Sequence, residues 1–147
     1  MTNDLERATA LIVDLHEFFT AWVSGRCLKD KALFAEKAEK HLSSDFLGIM
    51  PNGWSFNPSV FEGSMWDGHG NSPKFRIKIR DVQVRHRIGN ALVVTYEEWA
   101  HDAADAPHNN ARLSTMVLRD QDDKFEIVHL HETWLPADVV DAGDFAF

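Results

Sequence analysis

The sequence predicts an α+β domain in which N-terminal helices cover a curved antiparallel or mixed β-sheet. Three features point to it. The hydrophobic period changes once along the chain, from helical spacing over the first third to a period of two from residue 74 onward. Runs of helix followed by runs of strand are the pattern of α+β folds. The later strands are apolar on both faces: Val93, Thr95 and Trp99 oppose Leu92, Val94 and Tyr96, and Leu113 and Val117 oppose Met116 and Leu118. One such face needs helices over it, and the other calls for a partner subunit.

The first helix is the clearest element. Leu5, Ala8, Ile12, Leu15, Phe19 and Trp22 recur at steps of three and four, with Leu11 and Phe18 widening the stripe. Asn3 and Glu6 form a capping-box pattern, and Gly25 ends the helix. A second helix is expected over 31–42, capped by Asp30 and supported by the Glu36–Lys40 pair. Residues 46–73 are irregular, with turn signals at Pro51-Asn52-Gly53 and Asn57-Pro58 and a short third helix over 59–66. Four strands follow, over 74–86, 91–99, 111–119 and 125–134, joined by a turn at 88–90, a polar loop at 101–110 and a tight turn at 120–124. Residues 1–136 are therefore read as one domain and 137–147 as an acidic tail, whose Phe145 and Phe147 are able to dock.

Composition narrows the function classes. A net charge of −8 opposes nucleic-acid binding, and the basic residues between Lys74 and Arg87 alternate with Phe75, Ile77 and Ile79 as on one solvated strand face. No apolar run is long enough to span a bilayer, and the acidic N-terminus does not read as a secretory signal. The lone Cys27 excludes an internal disulfide and fits a reducing compartment, so a cytoplasmic protein is expected. Cys27 itself reads as incidental, because no catalytic partner for it is visible. There is no phosphate loop, and no cofactor or resident metal is expected.

Residues 112–133 carry a family signature. Ser114, an apolar strand, a short acidic turn, then Phe125, Ile127, Val128, His129, His131 and Thr133 resemble the last hairpin of the nuclear transport factor 2-like superfamily, nearest its polyketide-cyclase-like and kinase-association-like branches. Phe125 takes a place that is usually tryptophan, and Thr133 one that is usually serine. Upstream, residues 18–25 resemble the end of that family's first helix, although Arg26 stands where an aspartate is typical. Ser43, Ser44, Asp45, Phe46 and Pro51-Asn52-Gly53 resemble a second family segment, and residues 89–93 a hairpin. The resemblance implies a cone-shaped α+β barrel, usually dimeric, with a cavity between sheet and helices. Isomerases, dehydratases, cyclases, binding modules and oligomerisation hubs share that fold, so function rests on the site.

Strict alternation over 125–133 puts His129 and His131 on one face with Phe125, Ile127 and Thr133. If that face lines the cavity, His131 is a candidate general base, with Asp45 as an acid of raised pKa. The competing readings are a hydrogen-bonded structural histidine, or a His-x-His metal site that Glu98, Asp45 or His16 would have to complete. One of Glu97 and Glu98 faces inward, and Glu98 is a candidate for it; a cross-strand ion pair of the inward residue with Arg112 is either structural or a polar floor for an anionic or carbonyl group. Tyr96, the only tyrosine, is a candidate oxyanion donor without an evident second donor. Phe18, Trp22, Phe46, Trp54 and Trp66 are candidate walls of a cavity for a small hydrophobic or aromatic molecule.

Three functions remain open. The first is a small-molecule-binding domain with an aromatic-lined cavity, forming a homodimer through the sheet. The second is an acid–base isomerase or lyase using His131 and Asp45. The third is a non-catalytic oligomerisation module. An enzyme needs His131 and an acid converging in an open pocket, and a binder needs only the pocket. A hub needs a filled core and an apolar outer sheet face.

Overall fold

The structure, a computed structural model, describes residues 3–105 and 107–147. Helix α1 (Asp4–Ser24) starts where the Asn3 side chain accepts from the Glu6 amide at 2.8 Å, and stops at Gly25, whose φ of 78° is left-handed. Helix α2 (Lys31–Lys37) is capped by Asp30, and a single 3-10 turn (Glu39–His41) follows it. Next come strands β1 (Leu42–Ile49) and β2 (Ser55–Phe56), then helix α3 (Pro58–Asp67). Strands β3 (Arg76–Ile88), β4 (Ala91–His101), β5 (Asn110–Gln121) and β6 (Lys124–Trp134) form the meander, and a short helix α4 (Ala137–Asp141) ends the chain.

Two sequence expectations change here. The second helix does not reach residue 42. Ala38 is buried and leaves helical geometry, and the 3-10 turn tightens the chain into β1. The stretch from residue 42 also contains strand rather than only irregular chain. Its pattern, Leu42, two serines, Asp45 and Phe46, has no clean period of two, and its pairing with β6 is irregular between Leu42 and Leu47. The signal for β1 thus lies in its long-range partner, which a local pattern does not carry.

The sheet has six strands in the order β2-β1-β6-β5-β4-β3. β1 runs parallel to β6, and every other pair is antiparallel, so the sheet is mixed and unclosed. Among the described residues no helix is long and apolar enough to cross a membrane.

Helices cover one face, with Leu92, Val94, Tyr96, Met116, Leu118 and Ile127 packed against Ile12, Leu15, Phe18 and Trp22 in one core. The start of α1 is pinned by ion pairs: Arg7 reaches Asp120 at 2.9 Å, and Arg87 reaches Asp4 at 2.9 Å. Gly48 on β1 is a tight position, because a Cβ there would stand 2.3 Å from the Phe56 ring.

The other face is outward. One corner of it is covered by the chain end, where Phe145 packs on Trp99 (5.3 Å between centroids) and Arg80 donates to the Asp144 carbonyl. The remainder of that face, across β1, β6, β5 and β4, carries no such cover among the described residues.

Candidate functional site

The site begins with an extra residue in β6. Leu118 pairs with Ile127, but the preceding residue of β5, Val117, pairs with His129, so Val128 is a bulge. A bulge reverses the alternation beyond it. Ile127, Leu130 and Glu132 therefore face the helices, while His129, His131 and Thr133 face out. The expectation that His129 and His131 share a face with Phe125 and Ile127 is corrected by this bulge.

Asp45 also lies outside. Its carboxylate accepts from Ser43 Oγ at 2.6 Å and meets Arg119 at 3.4 Å, and its side chain is 63% exposed. The Ser43 hydrogen bond and the Arg119 charge hold it below the ordinary carboxylate range, the opposite of what a general base needs. His131 pairs with Ile49, four residues along β1 from Asp45, on the order of 10 Å at strand spacing. The proposed catalytic pair therefore does not converge. The rings of His129 and His131 stand perpendicular, 6.5 Å apart. Among the described residues no cluster of three or more His, Cys, Asp or Glu side chains is placed to hold a metal.

Inside, a different constellation assembles. The β4–β5 register sets Glu98 opposite Arg112 and Tyr96 opposite Ser114, and the β5–β6 register sets Ser114 opposite Glu132. His16, one turn above Phe19 on the buried side of α1, descends onto them. Its Nε2 lies 2.8 Å from Glu98 Oε1 and its Nδ1 lies 2.7 Å from the Ile12 carbonyl. The Ile12 carbonyl and an ionised Glu98 are both acceptors, an arrangement that favours the imidazolium form of His16. Arg112 Nη1 donates to Glu132 at 3.2 Å and Ser114 Oγ to the same carboxyl at 3.4 Å.

Burial and mutual charge set the ionisation of this group. Burial raises Glu98, but the His16 hydrogen bond and charge, with Arg112, bring it down to about 2. Burial depresses His16, and the bond and charge of Glu98 outweigh it, so its pKa is raised. Glu132 is pushed up to about 7 by burial and by the Glu98 charge, against the pull of Arg112. Burial drives Tyr96 well above its usual value. Within this cluster two donors remain without partners among the described residues: the Tyr96 hydroxyl and Arg112 Nε, which stands 3.8 Å from Glu98.

Of the five candidate wall residues, Phe18, Trp22 and Trp66 pack in the core, Trp54 stands at the surface, and Phe46 borders the small space left inside. Trp22 is fully buried against Phe18, Phe34 and Trp66, and donates to the Met65 carbonyl at 2.6 Å. Trp54 stacks on Phe56 at the surface. The space left between helices and sheet, bounded by His16, Phe46, Tyr96 and Leu130, is about 40 Å³. That holds water and excludes an aromatic ring. Glu132 was absent from the residues singled out by sequence, and His16 entered only as a distant metal ligand. The unmarked bulge at Val128 hid the first.

The outer face carries its own pattern. Leu47, His129, Val117 and Val93 lie in one row across four strands, and Ile49, His131, Thr115 and Thr95 in the next. Leu113 and Thr133 extend it. None of these is a carboxylate, lysine or arginine. Charged groups stand only around the band: Asp45, Arg119 and Glu126 on one side, Glu97 and Arg85 on the other, the last donating to Thr95 Oγ1 at 2.8 Å. Leu47 and Leu113 are 40% and 37% exposed within it.

Comparison with known proteins agrees with this geometry. The SnoaL-like domain family matches residues 29–137. The chain is similar to an NTF-2-like protein of unknown function from Pseudomonas aeruginosa, with 23% identity, a TM-score of 0.77, and coverage of 88% of this chain and 99% of that one. It is also similar to an NTF2-like protein from Cytophaga hutchinsonii (15% identity, TM-score 0.69, 91% and 100% covered). A third similar structure is the CaMKII hub homology domain of Chlamydomonas reinhardtii (18% identity, TM-score 0.59, 88% and 98% covered). No curated protein sequence matches. At these identities the structural likeness shows the fold alone. The family match covers most of the chain, and the chain is a member of the SnoaL-like family, with the NTF2-like α+β fold.

Proposed function

We propose that the chain works as a non-catalytic assembly module, a homodimer joined through the neutral band of its sheet. The observation that carries this reading is the charge pattern. A chain of net charge −8 repels its own copies, yet a band spanning four strands holds no formal charge apart from what its two histidines can take up. Across a two-fold axis each residue meets the same surface, so a face without carboxylates is suited to self-pairing. The nearly filled interior supports the same reading, and the likeness to a kinase hub homology domain is consistent with it. Sedimentation equilibrium at micromolar concentration tests it. A dimer, twice the 16.7 kDa chain, is expected, and a monomer would overturn the proposal.

A second reading rests on the two unpartnered donors. Tyr96 OH and Arg112 Nε suit the acceptor oxygens of a carbonyl or carboxylate compound, which would enter by displacing the aromatic side chains above the small cavity. Titration with benzoate, followed by NMR of the Arg112 Nε–H, distinguishes it. A saturable change in that signal that Tyr96→Phe weakens supports binding, and an unmoved signal excludes benzoate-like ligands from this floor.

A further inference from the structure

The segment after α4, which covers one corner of the outer sheet face, is held as a bound peptide is held. Among the described residues no main-chain hydrogen bond joins residues 144–147 to a strand. Gly143, Phe145 and Phe147 are half-buried, and Asp144 and Ala146 between them are exposed. Alternate residues therefore face the sheet, as in an extended segment laid on a surface. Phe145 packs on Trp99, and Phe147 on His101 with 4.9 Å between centroids. Two side chains of the sheet reach the backbone of the segment. Arg80 donates to the Asp144 carbonyl at 2.8 Å, and His101 Nε2 lies 2.6 Å from the Phe147 main-chain oxygen.

The seat is shaped to this segment. The Trp99 indole N–H donates to Glu97 at 2.8 Å, and the Arg80 guanidinium lies 4.7 Å from the ring centroid, so the indole is fixed from both sides. Gly143 passes so close to that ring that a Cβ there would overlap it. The β3–β4 register sets Arg76, Lys78 and Arg80 beside His101, Trp99 and Glu97, so the basic stripe of β3 borders the seat. Residues 138–144, which lead into it, carry Asp138, Asp141 and Asp144 and no base. Opposite charges thus steer the segment to its place. When the segment leaves, no bond of the strand ladder is broken.

We propose that this corner is a recognition site for an acidic segment with aromatic residues at alternate positions, filled by residues 143–147 of the same copy and open to exchange with those of a second copy. The contacts are identical in the two arrangements, so exchange costs no contact energy. A tethered segment competes at an effective concentration on the order of millimolar, which keeps the seat closed to free ligand until the copy's own segment is lost. The sheet-face dimer is not needed for it, because a free segment suffices to fill the seat.

The test uses the ¹⁵N-labelled Phe145→Ser/Phe147→Ser chain, whose seat is emptied, and reads the Trp99 indole N–H. A synthetic peptide of residues 141–147 is expected to move that signal saturably toward its position in the parent. The same peptide with serine for both phenylalanines should bind at least about tenfold more weakly. Gly143→Val empties the seat by a different route and should accept the peptide likewise. The parent should not respond at peptide concentrations well below millimolar. Unlabelled Trp99→Ala and Arg80→Glu chains, each with the segment intact and the seat damaged, should move the signal as the peptide does. The proposal is overturned if the peptide leaves both emptied variants unmoved, if the two peptides bind alike, or if the parent takes the peptide as readily as the emptied variants. It is also overturned if the peptide moves the signal and neither seat-damaged chain does.

Discussion

Ile127 and His129 pair with adjacent residues of β5, Leu118 and Val117, so one residue of β6 has no place in the ladder. That residue, Val128, decides which side chains of the closing strand face the core. Because of it Glu132 joins His16, Glu98 and Arg112, and His131 is turned outward. Deleting Val128 removes the unpaired residue and sets His129 directly after Ile127, so the strand alternates strictly with Glu132 still inward and His131 still outward. The expected outcome is a variant that keeps cooperative thermal unfolding and near-ultraviolet circular dichroism. Loss of both would show that the extra residue does more than set the face.

Glu132 gives a pH signature. Its pKa is raised to about 7 in the fold from an ordinary 4.5, so between those values the folded chain holds a proton that the unfolded chain has lost. Stability from this group is present below about pH 4.5 and is lost as pH rises toward 7 and beyond. The loss is a few kcal/mol at most, because each tenfold change in proton affinity is worth ~1.4 kcal/mol. Glu98 acts in the other direction: its depressed pKa contributes stability above 4.5 that is lost as pH falls toward 2. His16, raised above 6.5, contributes below that value and loses its contribution as pH rises through its folded pKa. Melting temperature should therefore peak in mildly acidic buffer. Glu132→Gln should flatten the decline between pH 4.5 and 7, seen as the difference from the parent; parallel curves would count against it.

Glu98→Gln leaves the His16 imidazolium buried against a neutral group. Removing one partner of a buried pair costs about 3–5 kcal/mol, and urea unfolding should read that loss. Because His16 then sheds its proton more readily, the loss should shrink as pH rises, and a loss independent of pH would argue against a charged His16.

Gly48→Ala tests the packing of β1 on the Phe56 ring. The added methyl would fall 2.3 Å from that ring, which is itself stacked between Trp54 and Phe61. A destabilisation of about 1–3 kcal/mol is expected by thermal melting, and a neutral change would mean that the β1–β2 turn yields freely.

Much of the architecture was legible in the sequence, and less of the site. Helix α1, with its Asn3 cap and Gly25 stop, could be read because its signals are local. The hairpins could be read from their period of two. That one of Glu97 and Glu98 faces inward near Arg112 could be read from alternation, and the strand register settles it as Glu98. Strand β1 was not legible, because its parallel partner lies some eighty residues away in the chain. Nor was Glu132, because Val128 is an ordinary β residue and nothing marks it as a bulge. The aromatic residues were read as walls of a cavity because composition does not reveal how closely Trp22, Phe34 and Phe61 fill it.

If copies of this chain meet through the neutral band of the sheet, a charge placed within that band must drive them apart. Leu113 stands within it, and Leu28, 81% exposed, lies away from the sheet. Sedimentation equilibrium of Leu113→Lys beside Leu28→Lys is the decisive comparison. Leu28→Lys should stay dimeric, whereas Leu113→Lys should raise the dissociation constant at least about tenfold. Equal masses for the two variants, whether both dimers or both monomers, would rule out the band as the interface.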